Sequence, residues 1–403
     1  MLKMGGKVIE VKAVSPAEKG LIFSLTDAQS LPLVLRSERG FLARHLNPPV
    51  GFAHYFCFDE SVVHSLPKSS SYSLLPEEFS HLGDGDVVRV SADLRAIRVL
   101  FRKSSLHNSV LLTERCNHYC LMCSQPPKPH DDSYIFDEVE KLITLIPRQT
   151  PELGFTGGEP TLEAERFLRI LRLCKSYLPS TAIHVLSNGR AFSNPAFTSA
   201  YAAIDHPDLM VGIPLYSDDP DRHDYIVQAQ GAFDETIRGI LNLKRARQKV
   251  EVRVVLHKQS IPRLVPLAEY ISRNLLFVDH VALMGLEMMG FARANLDVLW
   301  ADPYDYRAEL SQAVQVLSRS GINVSIYNHP LCLIDRSVEF AYRKSISDWK
   351  NDFPHECSQC ARRSDCGGFF SSGVQHKYSE RLRPFSLSGA QEVGPIGLGA
   401  YGD

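Results

Sequence analysis

A repeated alternation of short apolar runs with amphipathic segments is the feature that most constrains the fold of this 403-residue chain. The apolar runs occupy residues 110–114, 153–155, 182–186, 209–215, 250–256 and 280–284. Strands separated by single helices pair in parallel through right-handed crossovers. The pattern therefore predicts an α/β fold built on a partial or complete β/α barrel of six units, with a doubly wound open sheet as the alternative architecture.

The segments between the runs carry apolar residues at the three-to-four-residue spacing of a helix with one buried face. The predicted stripes are Phe136, Val139, Ile143 and Ile146; Phe167, Ile170, Leu171, Cys174 and Leu178; Phe233, Ile237, Ile240 and Leu241; Leu264, Leu267 and Ile271; and Tyr306, Leu310, Val314 and Leu317. Arg253 lies inside the fifth predicted strand, where it either faces the barrel lumen or joins a buried ion pair. In such barrels the active site lies at the carboxyl ends of the strands.

Residues 1–105 have a different pattern, in which short β-rich runs alternate with turn residues such as the Gly-Asp-Gly-Asp segment at 83–86. We expect three domains: a small, β-rich and barrel-like N-terminal domain over residues 1–105, a barrel core over 106–300 and a C-terminal extension over 301–403.

The charge balance of 44 Lys and Arg against 46 Asp and Glu gives no electrostatic case for nucleic acid as a partner. No stretch approaches the ~18 uninterrupted apolar residues of a membrane span, and the first residues lack the apolar core of a signal sequence. We therefore expect a cytoplasmic protein without a membrane or nucleic-acid partner. In that compartment nine cysteines indicate metal or redox chemistry rather than disulfides.

Three of these cysteines, Cys116, Cys120 and Cys123, follow the first predicted strand with the spacing Cys-x3-Cys-x2-Cys. Three thiolates are too few for a closed structural zinc site, which takes four ligands. Three cysteines on a [4Fe–4S] cluster leave one iron open to an external ligand. The spacing therefore favours such a cluster over a loop of free thiols.

Four more cysteines lie near the C-terminus, at Cys332, Cys357, Cys360 and Cys366. Four thiolates suit either a closed [4Fe–4S] cluster or a structural zinc site, and the spacing alone does not separate the two. Of the remaining cysteines, Cys174 falls on a predicted apolar stripe and Cys57 lies in an aromatic run. We expect both to be core residues.

The cysteine triad together with a Gly-Gly-Glu-Pro run at 157–160 resembles the radical S-adenosylmethionine superfamily. The resemblance implies that the triad binds the [4Fe–4S] cluster and that Met122, at a position more often aromatic, packs near the adenine of S-adenosylmethionine. It implies further cofactor contacts at Gly157, Gly158 and Glu159, which hold the methionyl amino group. Ser187 and Asn188, after the third strand, are cofactor-binding candidates by the same resemblance, with an ordinary turn as the alternative.

Within that superfamily, the sequence resembles the radical maturases of the His-Xaa-Ser system. The similarity rests on the residues around the triad, on Gly-Leu-Glu at 285–287, on KSISDWKN at 344–351 and on the final cysteine with its Gly-Gly-Phe-Phe sequel. It implies an auxiliary [4Fe–4S] cluster on the C-terminal cysteines, with zinc as the alternative. It also implies a His-Xaa-Ser-rich peptide or small-protein substrate, an electron donor such as flavodoxin or ferredoxin, and a second maturase of the same system.

The implied reaction is the reductive cleavage of S-adenosylmethionine to methionine and a 5′-deoxyadenosyl radical, which abstracts hydrogen from the substrate. No general base is needed for the first step, and Glu287, after the sixth strand, is the one candidate catalytic side chain, with a solvated carboxylate as the alternative. Two other functions stay open. One is a radical cyclase or cofactor-biosynthesis enzyme acting on a small molecule, which the glycine-rich tail at 393–403 faintly resembles without the paired arginines. The other is a catalytically inactive zinc or iron–sulfur interaction module.

Overall fold

The computed structural model of the protein describes residues 4–13, 20–344 and 351–386. Most of the KSISDWKN segment and the whole glycine-rich tail lie outside these ranges. Among the residues so described, no helix is both long enough and apolar enough to cross a membrane.

The N-terminal region forms an eight-stranded sheet that closes on itself. Its strands are β1 (Gly5–Lys7), β2 (Glu10–Lys12), β3 (Leu21–Thr26), β4 (Arg39–Ala43), β5 (His54–Cys57), β6 (Tyr72–Leu74), β7 (Val87–Val90) and β8 (Ala96–Phe101). Their order is β1-β8-β7-β3-β4-β5-β6-β2. The two outermost strands are separated in the chain only by Val8 and Ile9, whose amides donate to the carbonyls of Arg95 and Leu74. The outermost strands are therefore one continuous run that closes a barrel.

Apolar side chains fill the inside of this barrel because the strand residues alternate between its two faces. Leu25, Phe56 and Val88 are fully buried there, and the short helices α1 (Leu33–Arg36) and α2 (Glu60–His64) join neighbouring strands. Cys57, the residue after Phe56 in β5, is fully buried in a second apolar cluster with Phe41 and Val62, and burial raises the pKa of its thiol to about 12. The expectation of a β-rich N-terminal region with Cys57 in its core is confirmed.

A second, seven-stranded sheet carries the alternating pattern. Its strands are β9 (Asn108–Thr113), β10 (Glu152–Gly157), β11 (Ala182–Leu186), β12 (Leu209–Pro214), β13 (Lys249–Leu256), β14 (His280–Gly285) and β15 (Val324–Tyr327), and their order follows the chain. Leu153 of β10 lies opposite Asn108 of β9 and Ile183 of β11, both in parallel. Val281 of β14 pairs in parallel with Val324 of β15. The predicted α/β fold with a parallel sheet is confirmed, and β15 is a strand that the sequence did not predict.

Helices connect these strands. They are α3 (Tyr134–Leu145), α4 (Ala164–Tyr177), α5 (Pro195–Ala202), α6 (Pro220–Val227), α7 (Ala232–Arg245), α8 (Leu264–Asn274), α9 (Gly290–Ala294), α10 (Leu296–Leu299) and α11 (Arg307–Arg319). The predicted stripes of α3, α4, α8 and α11 are buried throughout. On α7, Phe233 and Ile240 are buried and Ile237 is half-buried, but the prediction was wrong at Leu241, which is 44% exposed while Leu243 is fully buried.

By its internal contacts the chain divides into two compact units, which are described separately below. The first comprises Met1–Tyr119, Gln125–Pro214 and Ala229–Glu251, and the second comprises Cys120–Ser124, Leu215–Gln228 and Val252–Asp403. The second unit ends in a short antiparallel pair, β16 (Asn351–Asp352) with β17 (Phe369–Phe370), followed by α12 (Ser371–His376).

Candidate active site

In the first unit, a buried carboxylate holds the loop that follows β9. Asp132 is fully buried and accepts hydrogen bonds from Thr113 Oγ1 (2.9 Å), the Glu114 amide and Arg115 Nε (3.0 Å). Burial alone would raise the pKa of the Asp132 carboxyl, but these hydrogen bonds and the Arg115 charge lower it below its ordinary value. The charged Asp132 therefore fixes the residues immediately before Cys116.

Gly157 and Gly158 allow the loop after β10 to approach the loop after β9. A Cβ on Gly158 would lie 2.0 Å from the Arg115 carbonyl oxygen, and one on Gly157, whose φ is +141°, would lie 2.3 Å from the Thr113 carbonyl oxygen. Neither contact can be accommodated, so both positions require glycine. The close approach lets the Glu159 amide donate to the Arg115 carbonyl at 2.8 Å.

Glu159 is a second buried acidic group of this region, with 1% exposure. Its Oε1 accepts from the Thr161 amide (3.0 Å), from Thr161 Oγ1 (2.6 Å) and from Ser187 Oγ (2.8 Å), and its Oε2 accepts from the Asn188 amide (2.6 Å). Burial raises the pKa of the Glu159 carboxyl, and the four donors oppose that shift. The carboxylate therefore binds the loop after β10 to the loop after β11, a role that the sequence did not predict for it.

The loop after β11 also reaches the first cysteine of the triad. Asn188 Nδ2 donates to Asn117 Oδ1 at 2.7 Å, directly beside the half-buried Cys116. Gly189 takes a φ of +82°, so the turn proposed for this segment is present together with its contacts to neighbouring loops. We call the set Arg115, Asp132, Glu159, Ser187 and Asn188 the Glu159 site.

In the second unit, Cys120 and Cys123 share one tight turn, in which the Cys123 amide donates to the Cys120 carbonyl at 3.0 Å. The Leu121 amide anchors this turn by donating to the Ile226 carbonyl at 3.0 Å. Met122 is 6% exposed, so its thioether is almost completely buried. Both thiols are half-buried.

A buried tyrosine lies near this turn, although the sequence analysis gave it no role. Tyr216 is 7% exposed, and burial raises its pKa, with a further contribution from the charges of Cys120 and Cys123. The positive charge of Arg253 opposes this shift, and Arg253 Nη2 donates to Met284 Sδ at 3.1 Å. The two cysteines, Tyr216 and Arg253 are thus electrostatic neighbours within the second unit.

The cysteines near the C-terminus also act on one another. We call Cys332, Cys357, Cys360 and Cys366 the four-cysteine segment. Burial raises the pKa of Cys332, and the charges of Cys366 and Cys360 add to the shift; burial and the charges of the other three raise the pKa of Cys357 to about 11. Such effects fall off with distance, so the four thiols share one locality.

The thiols of this segment, and the amides beside them, are of the chemical type that binds a thiophilic metal centre. Cys366 Sγ accepts hydrogen bonds from the amides of Leu331 (3.4 Å) and Gly368 (3.3 Å), and the Tyr342 hydroxyl lies 3.9 Å from it. Amide donors of this type stabilise thiolate ligands. Within residues 4–13, 20–344 and 351–386, no three or more His, Cys, Asp or Glu side chains already stand in a ligating arrangement. Ligation by either cysteine set therefore stays a prediction.

The family model of the radical SAM superfamily matches residues 110–271. We call these matched residues the radical SAM segment. The segment contains the cysteine triad, the two glycines and the whole Glu159 site. The radical SAM fold and enzyme class expected from the sequence are thereby supported.

The chain is also similar, over part of its length, to individual proteins. A probable GTP 3′,8-cyclase of Methanocella arvoryzae is 33% identical over 141 residues, which are 34% of this chain and 43% of that protein. This chain thus spans less than half of that relative's length.

Among solved structures, Streptococcus suis SuiB bound to S-adenosylmethionine has a TM-score of 0.44 and 15% identity, covering 54% of this chain and 49% of that chain. Native anSMEcpe with bound AdoMet and Cp18Cys peptide has a TM-score of 0.42 and 16% identity, covering 54% and 62%. Similarity at this level carries no functional conclusion.

The isolated residues also have definite places. Cys174 is fully buried on α4, and burial raises the pKa of its thiol to about 12, so its assignment to the core is confirmed. Glu287 lies just beyond β14 and is half-buried, and its catalytic role stays a prediction. The sequence analysis did not identify Asp132 or Tyr216, because a single Asp or Tyr in a loop has no spacing signal. Asp132 follows the cysteine triad, and Tyr216 follows strand β12.

Proposed function

We propose that the protein is a radical SAM enzyme that reductively cleaves S-adenosylmethionine and modifies a ribosomally synthesised peptide or small protein. The observation that carries the proposal is the Glu159 site, in which one buried carboxylate joins the Gly-Gly-Glu-Pro loop to the loop after β11 within the segment that matches the family model. A buried acid with four donors is costly to maintain unless it fixes functional loops.

The residues present suit the cofactors that this chemistry needs. A [4Fe–4S] cluster on Cys116, Cys120 and Cys123 would supply the electron that splits the sulfonium carbon–sulfur bond of S-adenosylmethionine, giving methionine and a 5′-deoxyadenosyl radical. The electron comes from a reduced donor protein such as flavodoxin or ferredoxin. In this proposal Gly157 and Gly158 belong to the loop that holds the cofactor amino group, and Met122, a polarizable side chain in the Cys120–Cys123 turn, packs near the purine.

The Glu159 site has a positioning task in this proposal. Ser187 and Asn188 are held by Glu159, and Asn188 also holds Asn117, so the polar groups beside Cys116 keep their orientation before any ligand arrives. We assign the same kind of task to Asp132, which keeps Arg115 charged and in place.

For the C-terminal cysteines we propose an auxiliary [4Fe–4S] cluster bound by Cys332, Cys357, Cys360 and Cys366, with zinc as the alternative occupant. The mutual pKa effects of these thiols support inclusion of Cys332 in the set. We further propose a cytoplasmic location, a His-Xaa-Ser-rich substrate protein and a second maturase of the same system as partner.

Anaerobic reconstitution tests the first level of the proposal. The reduced protein should release 5′-deoxyadenosine from S-adenosylmethionine and should contain ~8 irons per chain, whereas zinc in the four-cysteine segment would leave ~4. Cys120→Ala should abolish the release. Cys174→Ala, which removes a buried core thiol, is the matched control and should retain it. A fully reconstituted, reduced wild-type protein that releases no 5′-deoxyadenosine would overturn the proposal in favour of an inactive interaction module.

Co-expression with a small His-Xaa-Ser-rich protein tests the substrate class. The active enzyme should change the mass of that protein, and the Cys120→Ala variant should not. The 33% identity to a probable GTP 3′,8-cyclase favours a second candidate, a cyclase acting on a small molecule. Consumption of GTP by the reduced enzyme, with no mass change in the protein substrate, would establish that candidate instead.

A further inference from the structure

The second unit contains a cavity that the proposed chemistry does not explain. The cavity opens to solvent. Leu256, Gly285 and Asn328 contribute to it from the ends of β13, β14 and β15, and Phe369 and Phe370 contribute from the strand that follows the last cysteine. The carboxyl ends of parallel strands are where β/α folds bind their ligands. A cavity at this place is therefore a candidate ligand site.

The walls are largely aromatic. Trp300, Tyr306, Phe369, Phe370 and Tyr378 line the cavity, and the flexible side chain of Met288 lies among them. Aromatic walls pair with a further ring in offset or edge-to-face geometry, and methionine sulfur also packs against rings. The composition of this space, which we call the Trp300 cavity, suits a ring as its occupant.

Three wall hydroxyls, those of Tyr306, Tyr378 and Ser379, form hydrogen bonds within the protein. His329 Nδ1 is 2.8 Å from the Tyr327 carbonyl and carries the hydrogen, so its Nε2 accepts from the Tyr306 hydroxyl at 2.9 Å. Burial lowers the pKa of His329 to about 4, which keeps that ring neutral and able to accept. The Tyr306 side chain thus turns its hydroxyl to His329 and leaves its ring for the cavity.

Two further wall hydroxyls are engaged in the same way. Ser379 Oγ accepts from the Arg381 amide at 3.1 Å, and the Tyr378 hydroxyl donates to Glu356 at 3.3 Å. A nucleobase would need several partners for the polar atoms of its edge. Asn328 and Lys377 also line the cavity, so the preference for a benzenoid ring rests on the aromatic side chains of the walls.

Lys377 is the one charged residue among those lining the cavity, and its Nζ lies 4.2 Å from the centre of the Trp300 ring. This ammonium already occupies a face of the best cation-binding ring of the cavity. A second positive charge at the same place would be repelled, so the occupant is not a cation.

We propose that the Trp300 cavity binds an uncharged benzenoid side chain, of the phenylalanine or tyrosine type, from the substrate peptide. The peptide part rests on the function proposed above, whereas the ring preference rests on the walls alone. The C-terminal extension then has a recognition role in addition to metal binding, because Phe369, Phe370 and Tyr378 supply much of the ring-binding wall.

Trp300 gives a direct probe of occupancy, since the chain has 2 tryptophans. The reconstituted holoenzyme is labelled with 5-fluorotryptophan, and the Trp349→Phe variant assigns the Trp300 resonance in the ¹⁹F spectrum. N-acetylphenylalaninamide should shift that resonance saturably, with a dissociation constant on the order of 1 mM for a ligand of this size. N-acetylalaninamide and N-acetyllysinamide should leave it unchanged.

Variants at one wall position sharpen the test. A Cβ on Gly373 meets its nearest atoms at 3.9 Å, so Gly373→Ala fits and serves as the control, while Gly373→Leu fills the cavity and should weaken binding at least about tenfold. Should Gly373→Leu lose its native circular dichroism, Tyr378→Ala replaces it. That variant removes one ring and should weaken binding about three- to tenfold.

The proposal is overturned if the aromatic amide gives no saturable shift, if the shift persists unweakened in Gly373→Leu or Tyr378→Ala, or if guanosine binds more tightly than the aromatic amide. The release of 5′-deoxyadenosine is measured on the same preparation. Release without ring binding removes the cavity proposal and leaves the proposed function intact. Ring binding without release of 5′-deoxyadenosine removes the proposed function and leaves the ring preference of the cavity intact.

Discussion

The Glu159 site and the four-cysteine segment are both rich in ionisable groups, yet they are stabilised in different ways. In the Glu159 site the carboxylates of Glu159 and Asp132 are bonded by protein donors, so the site is complete without a ligand. In the four-cysteine segment, burial and mutual repulsion raise the pKa values of Cys332 and Cys357. The first region is organised by the protein itself, whereas the second would gain its stability from the metal centre proposed for its thiols.

Metal removal should separate the two regions most clearly. Because metal affinity contributes folding free energy to thiol-ligated segments, chelation should raise hydrogen–deuterium exchange in residues 351–386 on the order of a hundredfold. Residues 152–190, around Glu159, should change by less than about threefold. An equal rise in hydrogen–deuterium exchange in both regions would show that the two regions are stabilised in the same way. Mass spectrometry of peptides from the native and chelated protein measures both regions in one experiment.

Gly158→Ala should damage the first region alone. The new methyl group would lie 2.0 Å from the Arg115 carbonyl oxygen, so the loop after β10 must shift. A shift of about 1 Å at a reacting centre costs about a hundredfold in rate, which we expect for 5′-deoxyadenosine release.

Gly83→Ala, where no atom lies within 4 Å of the added carbon, is the control and should release 5′-deoxyadenosine like the wild type. Metal bound by the four-cysteine segment should be retained in both variants. Its loss in Gly158→Ala would show that the two regions are not independent.

Asp132→Asn should weaken the first region by about 3 kcal/mol in the free energy of unfolding, because it leaves Arg115 without its buried partner. Since the pKa of Asp132 is lowered in the folded protein, its stabilisation is present at neutral pH and is lost as the pH falls through that lowered value. The variant should therefore lose less stability in acid than the wild type. Asp131→Asn, at the exposed neighbour, is the matched control for urea unfolding at pH 7 and at about pH 2.5.

Tyr342→Phe should have the smallest effect, and it should be confined to the second region. The Tyr342 hydroxyl accepts from the Gly367 amide at 2.7 Å and donates to the His329 carbonyl at 3.0 Å. Its removal should cost about 1 kcal/mol, seen as faster exchange in residues 351–386. Tyr119→Phe, at a 52% exposed tyrosine, should change nothing measurable in that segment.

Periodicity predicted the central part of the fold well. The run 182–186 coincides with β11, and the run 250–256 differs from β13 by one residue. Buried strands and amphipathic helices have regular spacing, which a sequence displays directly. The error at Leu241 arose because α7 turns a neighbouring stripe, which includes Leu243, toward the core. The four-residue strand β15 is too short to show a period of its own.

The sequence predicted which residues belong to the candidate site, but it did not predict the hydrogen bonds among them. Cys116, Gly157, Gly158 and Glu159 belong to a motif with fixed spacing, so the sequence identified them. Glu159 accepts hydrogen bonds from Ser187 and Asn188, and Asp132 holds Arg115. These contacts depend on which loops meet in three dimensions. The strand register that brings those loops together is not readable from either loop.

Closure of the N-terminal barrel has a consequence for how the chain is made. β1 is synthesised before its partner β8, and β2 before its partner β6, so the first strands emerge with both hydrogen-bonding edges unsatisfied. The barrel cannot close until Phe101, the last residue of β8, has left the ribosome. Contacts of such long sequence separation form slowly. Closure is therefore a late step in the folding of this region, and until it occurs the open edges of β6 and β8 are the part of this region most exposed to aggregation.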